Sequence, residues 1–483
     1  MTECKTNDNE IQGQMTLDLG LGKEIEAKFD GGLISSDGGL LLLRKADDKL
    51  RLLERVVPCL KDRRQAELVT HTFLQMLRQR VYAIAAGYED CNDAQTLRFD
   101  PMHKLGVGRL PSDETHCASQ PTLCRFENAA DEVSCEALQK LLVHVFISMH
   151  KKPPSVVKLR MDVTDDEVHG YQQMSFWNGF YQSNCYLPLF VFDDSGFPLA
   201  AVLRPGNAAP AGQAIKTIKK IVKELRLEWP KVRIELLADA GFAEPELYDF
   251  CEDNNIYYAI CLKSNEVLQK YTGNIIDQCK AEMAALGITP HTRIYGSKGH
   301  RLWSMREQQK RYASKSEGRM QEHFEQDSAI ITKFETFDYQ AESWRSKRTV
   351  VMKCDYGQSG LEVRYVVTNF PGRTPRRLYE DIYCKRARCE NWLKELKNQL
   401  NCDRTSCQEF IANQFRLLLH TFAYALLWKV RKDAGYEHVE VRTVMLYLIK
   451  AGVLVKETAR KVWLHLSSYH PAQEWFRKAW AHT

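Results

Sequence analysis

No apolar run in this 483-residue chain approaches the roughly 18 residues a membrane span requires. The best candidate, FRLLLHTFAYALLWKV (Phe415–Val430), is interrupted by His420, flanked by Arg416 and Lys429, and reads as a buried amphipathic helix. The opening MTECKTNDNE lacks the basic-then-apolar pattern of a secretory leader, which predicts a cytoplasmic protein with no membrane partner. A disulfide framework is also missing. The 15 cysteines are odd in number and scattered through apolar patterns such as YYAICLK around Cys261, which suits a reducing compartment. Cys384/Cys389 and Cys402/Cys407 each lack a second pair that would complete a zinc site, and His116, Cys117, Cys124 and Cys135 read as core or surface groups. There is no internal repeat, no low-complexity tract and no clean helix-turn-helix signature.

What is present divides the chain into segments. Residues 1–25 read as disordered. Residues 26–153 form a mainly helical N-terminal domain, with periodic runs at RQAELVTHTFLQMLRQRVYAIAA and EALQKLLVHVFISMHK, closed by a KKPP linker. From residue 154 the pattern turns to strands. SVVKLRMDVT alternates, and CYLPLFVFDDSGFPLAAVLRPGN reads as two strands joined by a turn at Asp193–Asp194. A helix (Ala211–Trp229), a strand, a helix and a strand follow, giving β-β-β-α-β-α-β by residue 265. That order predicts an α/β fold with a ribonuclease-H-like sheet. Residues 266–360 predict a β-rich insertion with an antiparallel meander, whose basic stretch 297–326 is the least interpretable part of the chain. Residues 361–430 return to the core with its closing helix, and 431–483 read as a helical C-terminal region.

The net charge of +5 is unevenly placed: residues 371–483 hold 20 Lys+Arg against 11 Asp+Glu, which is consistent with a polyanionic partner. Within that basic quarter lies YCKRARCENWLKELK, Tyr383–Lys397. On a helix at about 100° per residue, with Tyr383 as zero, Arg386 falls near 300°, Glu390 near 340° and Lys397 near 320°, one narrow polar stripe. Ile382, Leu393, Leu396 and Leu400 fall on the adjoining face, so the helix can pack along one edge and line a site along the next. Surface charge pairing is the alternative meaning of such a run.

Two aspartates stand at predicted strand ends, Asp162 after VVKLRM and Asp239 after IELLA. In a ribonuclease-H-like sheet these ends are neighbours, and Glu390 on the closing helix supplies a third carboxylate. Three carboxylates without histidine or cysteine are hard oxygen donors, suited to Mg²⁺ or Mn²⁺. Two such ions about 3.5–4 Å apart serve phosphodiester chemistry. Asp165 is the fallback for Asp162.

These features together resemble the DDE transposases of bacterial insertion sequences. The spacing Tyr383-x2-Arg386-x3-Glu390-x6-Lys397 is similar to the signature of one branch, Asp162 lies in DVT and Asp239 in LADAGF. FDGGLISSDGGLLLLR, LRQRVYAIAAGYEDCNDAQTLRFDP, SQPTLCRFEN, VLRPGN and RYVVTNF resemble blocks of the insertion-sequence-thirteen-eighty group, so the likeness covers roughly residues 25–430. The resemblance implies that Asp162, Asp239 and Glu390 hold two Mg²⁺ or Mn²⁺ ions. It implies that Tyr383, Arg386 and Lys397 hold the DNA backbone, and that Trp344 stacks on a flipped base. Lys394 is a further phosphate candidate, and His169, Arg204, Asn207, Arg78, Arg80 and Arg98 have either DNA-contacting or structural readings. The implied partners are double-stranded DNA, as terminal inverted repeats and target, and a second copy of the chain in a synaptic complex associated with the bacterial nucleoid. The implied activity is cut-and-paste strand transfer. A ribonuclease-H-like nuclease without strand transfer and a non-catalytic DNA-binding protein are the rival readings.

Overall fold

The computed structural model of the chain describes residues 14–209, 211–285, 331–357 and 360–481. They fall into two compact units, one running to Glu127 and resuming at Phe422, the other spanning Asn128–Thr421. The basic stretch 297–326 lies outside the described residues.

The second unit is built on one eight-stranded sheet. Its elements are α1 (Glu132–Ser148), β1 (Val156–Val163), β2 (Leu189–Phe192), β3 (Pro198–Val202), α2 (Ala214–Glu228), β4 (Arg233–Ala238), α3 (Pro245–Asp253), β5 (Ile256–Leu262), α4 (Gly273–Ala285), β6 (Ile331–Tyr339), β7 (Arg348–Gly357) and β8 (Gly360–Thr368). The strand order is β6-β7-β8-β5-β4-β1-β2-β3. The first three strands are antiparallel, β4 runs parallel to both β1 and β5, and β8 returns antiparallel beside β5. The central strands read as near-continuous apolar runs because helices cover them, as the fully buried Leu189–Phe192 illustrates. The β2–β3 hairpin turns at Asp193–Gly196, where the Asp193 carboxylate accepts the Ser195 and Phe197 amides and Gly196 takes φ +85°.

Several boundaries differ from the sequence reading. The expected β-rich insertion begins with helices, Glu266–Tyr271 and α4, and its meander β6–β8 continues the core sheet through the β5–β8 ladder. The edge of β5 offers unpaired backbone groups, and an alternating strand satisfies them. Helix α1, read as N-terminal, packs on β3 and α2. Gln139 joins its side-chain amide to the backbone of Ala201 at both ends, while Leu138, Leu142, Val145 and Phe146 are buried. A small sheet of Asp166–Glu167, Phe176–Asn178 and Ser183–Tyr186, not foreseen in the sequence, fills the stretch between β1 and β2. Residues 412–421 of helix Phe410–Asp433 are buried rather than amphipathic. Two of their polar members bond internally: Asn413 donates to the Cys407 carbonyl at 2.8 Å, and Gln414 accepts the Leu203 amide at 2.7 Å.

The first unit centres on helices Leu40–Leu50, Phe73–Ala85 and Pro101–Val107, the second of them opened by a Thr72/Gln75 capping box. Its strand Leu33–Ser35 pairs with Val453–Glu457, which pairs with Val462–Leu466. The C-terminal region is therefore partly β where helix was expected, because VLVKE and VWLHL alternate with period two. Gln14–Leu17, within the segment read as disordered, pairs with Ile25–Lys28, which begins at its end, in a two-stranded ribbon. Among the described residues every cysteine is a free thiol, and no helix is long and apolar enough to cross a membrane.

Candidate active site

The site begins with strand register. Arg160 on β1 lies opposite Leu237 on parallel β4. Two residues further along each strand come Asp162 and Asp239, at the carboxyl ends of neighbouring strands. Asp239 follows β4 directly and caps the 3₁₀ turn Ala240–Phe242, its Oδ1 accepting the Gly241 amide at 2.8 Å. Asp162 is 8% exposed, and its Oδ1 accepts the Val163 amide at 2.9 Å.

Glu390 arrives from the far side of the sequence. Residues 375–399 are helical, but not at one pitch. After Pro375–Arg377 comes a π turn at Leu378–Ile382, a 3₁₀ turn at Tyr383–Ala387, α-helix at α5 (Arg388–Lys394) and a second π turn at Glu395–Gln399. The uniform α-helix assumed from the sequence is corrected here, and a cause is visible. The Lys385 carbonyl accepts the Arg388 amide and also Nη1 of fully buried Arg160, so a side chain enters the helical hydrogen-bond ladder. Arg160 also binds Asp194, with Nε 3.0 Å from Oδ1. Burial would raise the Asp194 carboxyl, but Arg160 and Lys158 outweigh it and hold it below the usual range. Below α5, Cys389, Leu393, Leu396 and Leu400 are buried, so the apolar row anchors the helix and Glu390 is left facing outward, its side chain 47% exposed.

Between the carboxylates lies Arg386. Its Nη1 is 3.4 Å from Asp162 Oδ2 and its Nη2 is 2.7 Å from Glu390 Oε1. Burial and the charge of Asp239 push the Asp162 carboxyl up to about 7, with Glu390 adding to the rise and Arg386 and the Val163 amide opposing it. Asp162 therefore senses the charges of both other acids. Their donor chemistry and mutual repulsion fit a hard divalent cation, which would relieve both burial and like-charge cost. As the side chains stand, no cluster of three His, Cys, Asp or Glu among the described residues closes around an ion, and a guanidinium spans two of these acids instead.

A family model described as transposase DDE domain group 1 matches residues 17–482. The chain belongs to this family. Among solved structures it is similar to a piggyBac transposase in a synaptic complex with hairpin DNA, at 10% identity and a TM-score of 0.38, over 86% of this chain and 80% of that one. A comparison with curated proteins gave no match.

In this DDE-family chain the remaining sequence candidates are sorted by burial. Lys397, expected on DNA phosphate, is tied inward: its Nζ donates to Asp165 Oδ1 at 2.6 Å and to the Asp165 carbonyl at 2.7 Å. Asp165 is thereby engaged as a partner of Lys397. Tyr383, also expected on the backbone, is half-buried with its ring 5.4 Å from Tyr379; burial and the Cys261 thiol raise its hydroxyl above the usual tyrosine range. Trp344 is 7% exposed and packs edge-on to Tyr248 and Tyr339, with the Arg348 guanidinium 5.2 Å from its ring. Trp344, for which base stacking was expected, thus stands within an aromatic cluster closed by the Arg348 cation. Lys394 and His169 are exposed. Arg204 is buried, donates to the Leu187 and Ala209 carbonyls, and is pushed down to about 10 by burial, while Asn207 is exposed. In the first unit Arg78 pairs with Asp47 and Arg80 with Glu127, both buried, so neither reaches outward; Arg98 is half-buried and lies over the Phe99 ring.

Sequence reasoning missed Arg160, an arginine in an alternating strand with no motif around it, and treated Asp194 only as a turn residue. It also missed the exposed rings of Tyr171, Trp177 and Phe180 around the small sheet after Asp162. The aromatic density of SFWNGFY was the available signal.

Proposed function

We propose that the chain is a DNA transposase that cleaves at the terminal inverted repeats of its element and joins the 3′-hydroxyl ends to target DNA, in a cut-and-paste reaction. The observation that carries this reading is that Asp162 and Asp239 stand at the ends of neighbouring strands β1 and β4 while the Arg386 guanidinium bridges Asp162 to Glu390. The order and directions of β1–β5 support a ribonuclease-H-like core extended by β6–β8.

Asp162, Asp239 and Glu390 would hold two Mg²⁺ or Mn²⁺ ions, which when bound supply activation of water or a 3′-hydroxyl and stabilisation of the leaving oxygen. The chain's own residues do the rest. Arg160 fixes the helical turn ahead of Glu390, Lys397 ties the following turn to the loop after β1, and Arg386 and exposed Lys394 offer the strand's phosphates a fork and a point charge. Double-stranded DNA is the partner, and synapsis of two ends calls for a homodimer on DNA.

The test is to incubate purified full-length protein and Mg²⁺ with a duplex carrying the DNA that flanks its gene. Joined products are expected. Cleavage without joining would leave a nuclease, and retention without cleavage a DNA-binding protein.

A further inference from the structure

Arg386 sits where two of the three acids converge. One guanidinium nitrogen faces Asp162 Oδ2 at 3.4 Å and the other faces Glu390 Oε1 at 2.7 Å, with the arginine side chain 17% exposed. The oxygens it faces belong to the donor set that a divalent ion would need. A fork that spans two carboxylates offsets their repulsion in the same way an ion does, and two cations cannot share these oxygens without repelling each other.

The Arg386 backbone cannot retreat freely. It lies in the 3₁₀ turn whose preceding carbonyl, Lys385, is held by buried Arg160, and Cys389 and Leu393 pin the helix beneath. Exchange therefore falls to the side chain, which has rotatable bonds and an exit past half-exposed Glu390.

We propose that Arg386 competes directly with the divalent cation for Asp162 and Glu390, so that ion loading displaces the guanidinium from both carboxylates. This rests on the reading of Asp162, Asp239 and Glu390 as the ion's ligands, and goes beyond it by giving Arg386 control over ion affinity. It also explains how one arginine serves twice: between the acids it holds them together, and once displaced it is free to meet a strand phosphate.

The experiment is a Mn²⁺ titration of full-length protein without DNA, read from the electron paramagnetic resonance signal of the free ion. Arg386→Gln should bind Mn²⁺ more tightly than wild type, by about tenfold. Arg386→Lys keeps the charge but cannot span two carboxylates, and should fall between them. Lys385→Gln removes an exposed neighbouring charge and should change little. Circular dichroism and a urea midpoint establish that each variant is folded, and Arg386→Lys carries the test if Arg386→Gln is not. Asp239→Asn placed on Arg386→Gln should remove the gain. Equal or weaker Mn²⁺ binding by Arg386→Gln would overturn the competition. If Asp239→Asn alone weakens Mn²⁺ binding, the ligand reading stands whatever Arg386 does. If Asp239→Asn and Asp162→Asn both leave Mn²⁺ binding unchanged, the ligand reading fails and the competition with it.

Discussion

The Lys397 ammonium lies 2.6 Å from the Asp165 carboxylate, with both side chains about four-fifths buried. This pair joins the second π turn of the Glu390 helix to the loop that follows Asp162. Lys397→Ala should cost roughly 1–3 kcal/mol, because it leaves a partly buried carboxylate without its donor. A double-mutant cycle with Asp165→Asn, followed by urea denaturation, should show a coupling above about 0.5 kcal/mol. Strict additivity would mean the contact holds nothing in place.

Gly196 in the β2–β3 turn has φ +85°, and a Cβ there would stand 2.7 Å from the Trp392 indole. Gly196→Ala should therefore lose about 1–3 kcal/mol from strain and overpacking. Because Trp392 is on α5, cleavage should fall by more than the lost folded fraction explains. Comparing the urea midpoint with the cleavage rate at a temperature where the variant is folded separates the two effects.

Trp344 fills a space between Tyr248, Tyr339 and Arg348. Trp344→Ala should destabilise by about 3–5 kcal/mol, whereas Trp344→Phe should leave strand cleavage and joining unchanged. A folded Trp344→Phe protein that cleaves but fails to join would instead support a DNA-stacking role for the indole.

Asp162 is held against burial and against Asp239, and those two unfavourable effects outweigh Arg386. Asp162→Asn should abolish cleavage and at the same time raise thermal stability, by roughly 0.5–2 kcal/mol. Differential scanning calorimetry at pH 8 measures it, and a lowered midpoint would show that Arg386 dominates the balance.

In the first unit Asp37 is buried between His103 (3.2 Å) and Lys450 (2.9 Å) and accepts the Tyr88 hydroxyl at 3.0 Å. Burial would raise its carboxyl, but His103 and Lys450 together bring it below the ordinary 3.8. A depressed folded value means the stabilisation is present in full above about pH 4 and is lost as pH falls through the folded value. Asp37→Asn should therefore flatten the acid limb of the stability curve, measured by urea midpoints from neutral pH down to about pH 3. An unchanged acid limb would place the transition on other carboxylates.

Periodicity carried much of this architecture. The alternation of SVVKLRMDVT and the apolar run IELLA place Asp162 and Asp239 at strand ends, and parallel register then brings them side by side. The apolar row Leu393, Leu396 and Leu400 places Glu390 outward. Side-chain destinations were harder to read. Lys397 and Tyr383 share a stripe with Arg386 on an ideal helix, yet changes of pitch turn one toward Asp165 and the other toward Cys261. Those changes accompany a tertiary bond from Arg160, 225 residues away from Lys385, which no local pattern encodes. The meander was visible in its alternation, but its union with the core sheet depends on an open β5 edge, which is a property of the folded sheet.

The same long reach bears on synthesis. Arg386 meets Asp162 across 224 residues, and Lys397 meets Asp165 across 232. A ribosome adding about 5–20 residues per second exposes both aspartates well before the helix that completes their surroundings. Contacts of such high order form slowly, after the local helices and hairpins. A truncated chain ending before the β5–β8 ladder therefore carries two of the three acids, on the inner strands β1 and β4 of a sheet whose β5 edge is still open, and lacks the third. All three acids and Lys397 are present together only in chains extended past residue 397, so an earlier stop leaves Asp162 and Asp239 without Glu390.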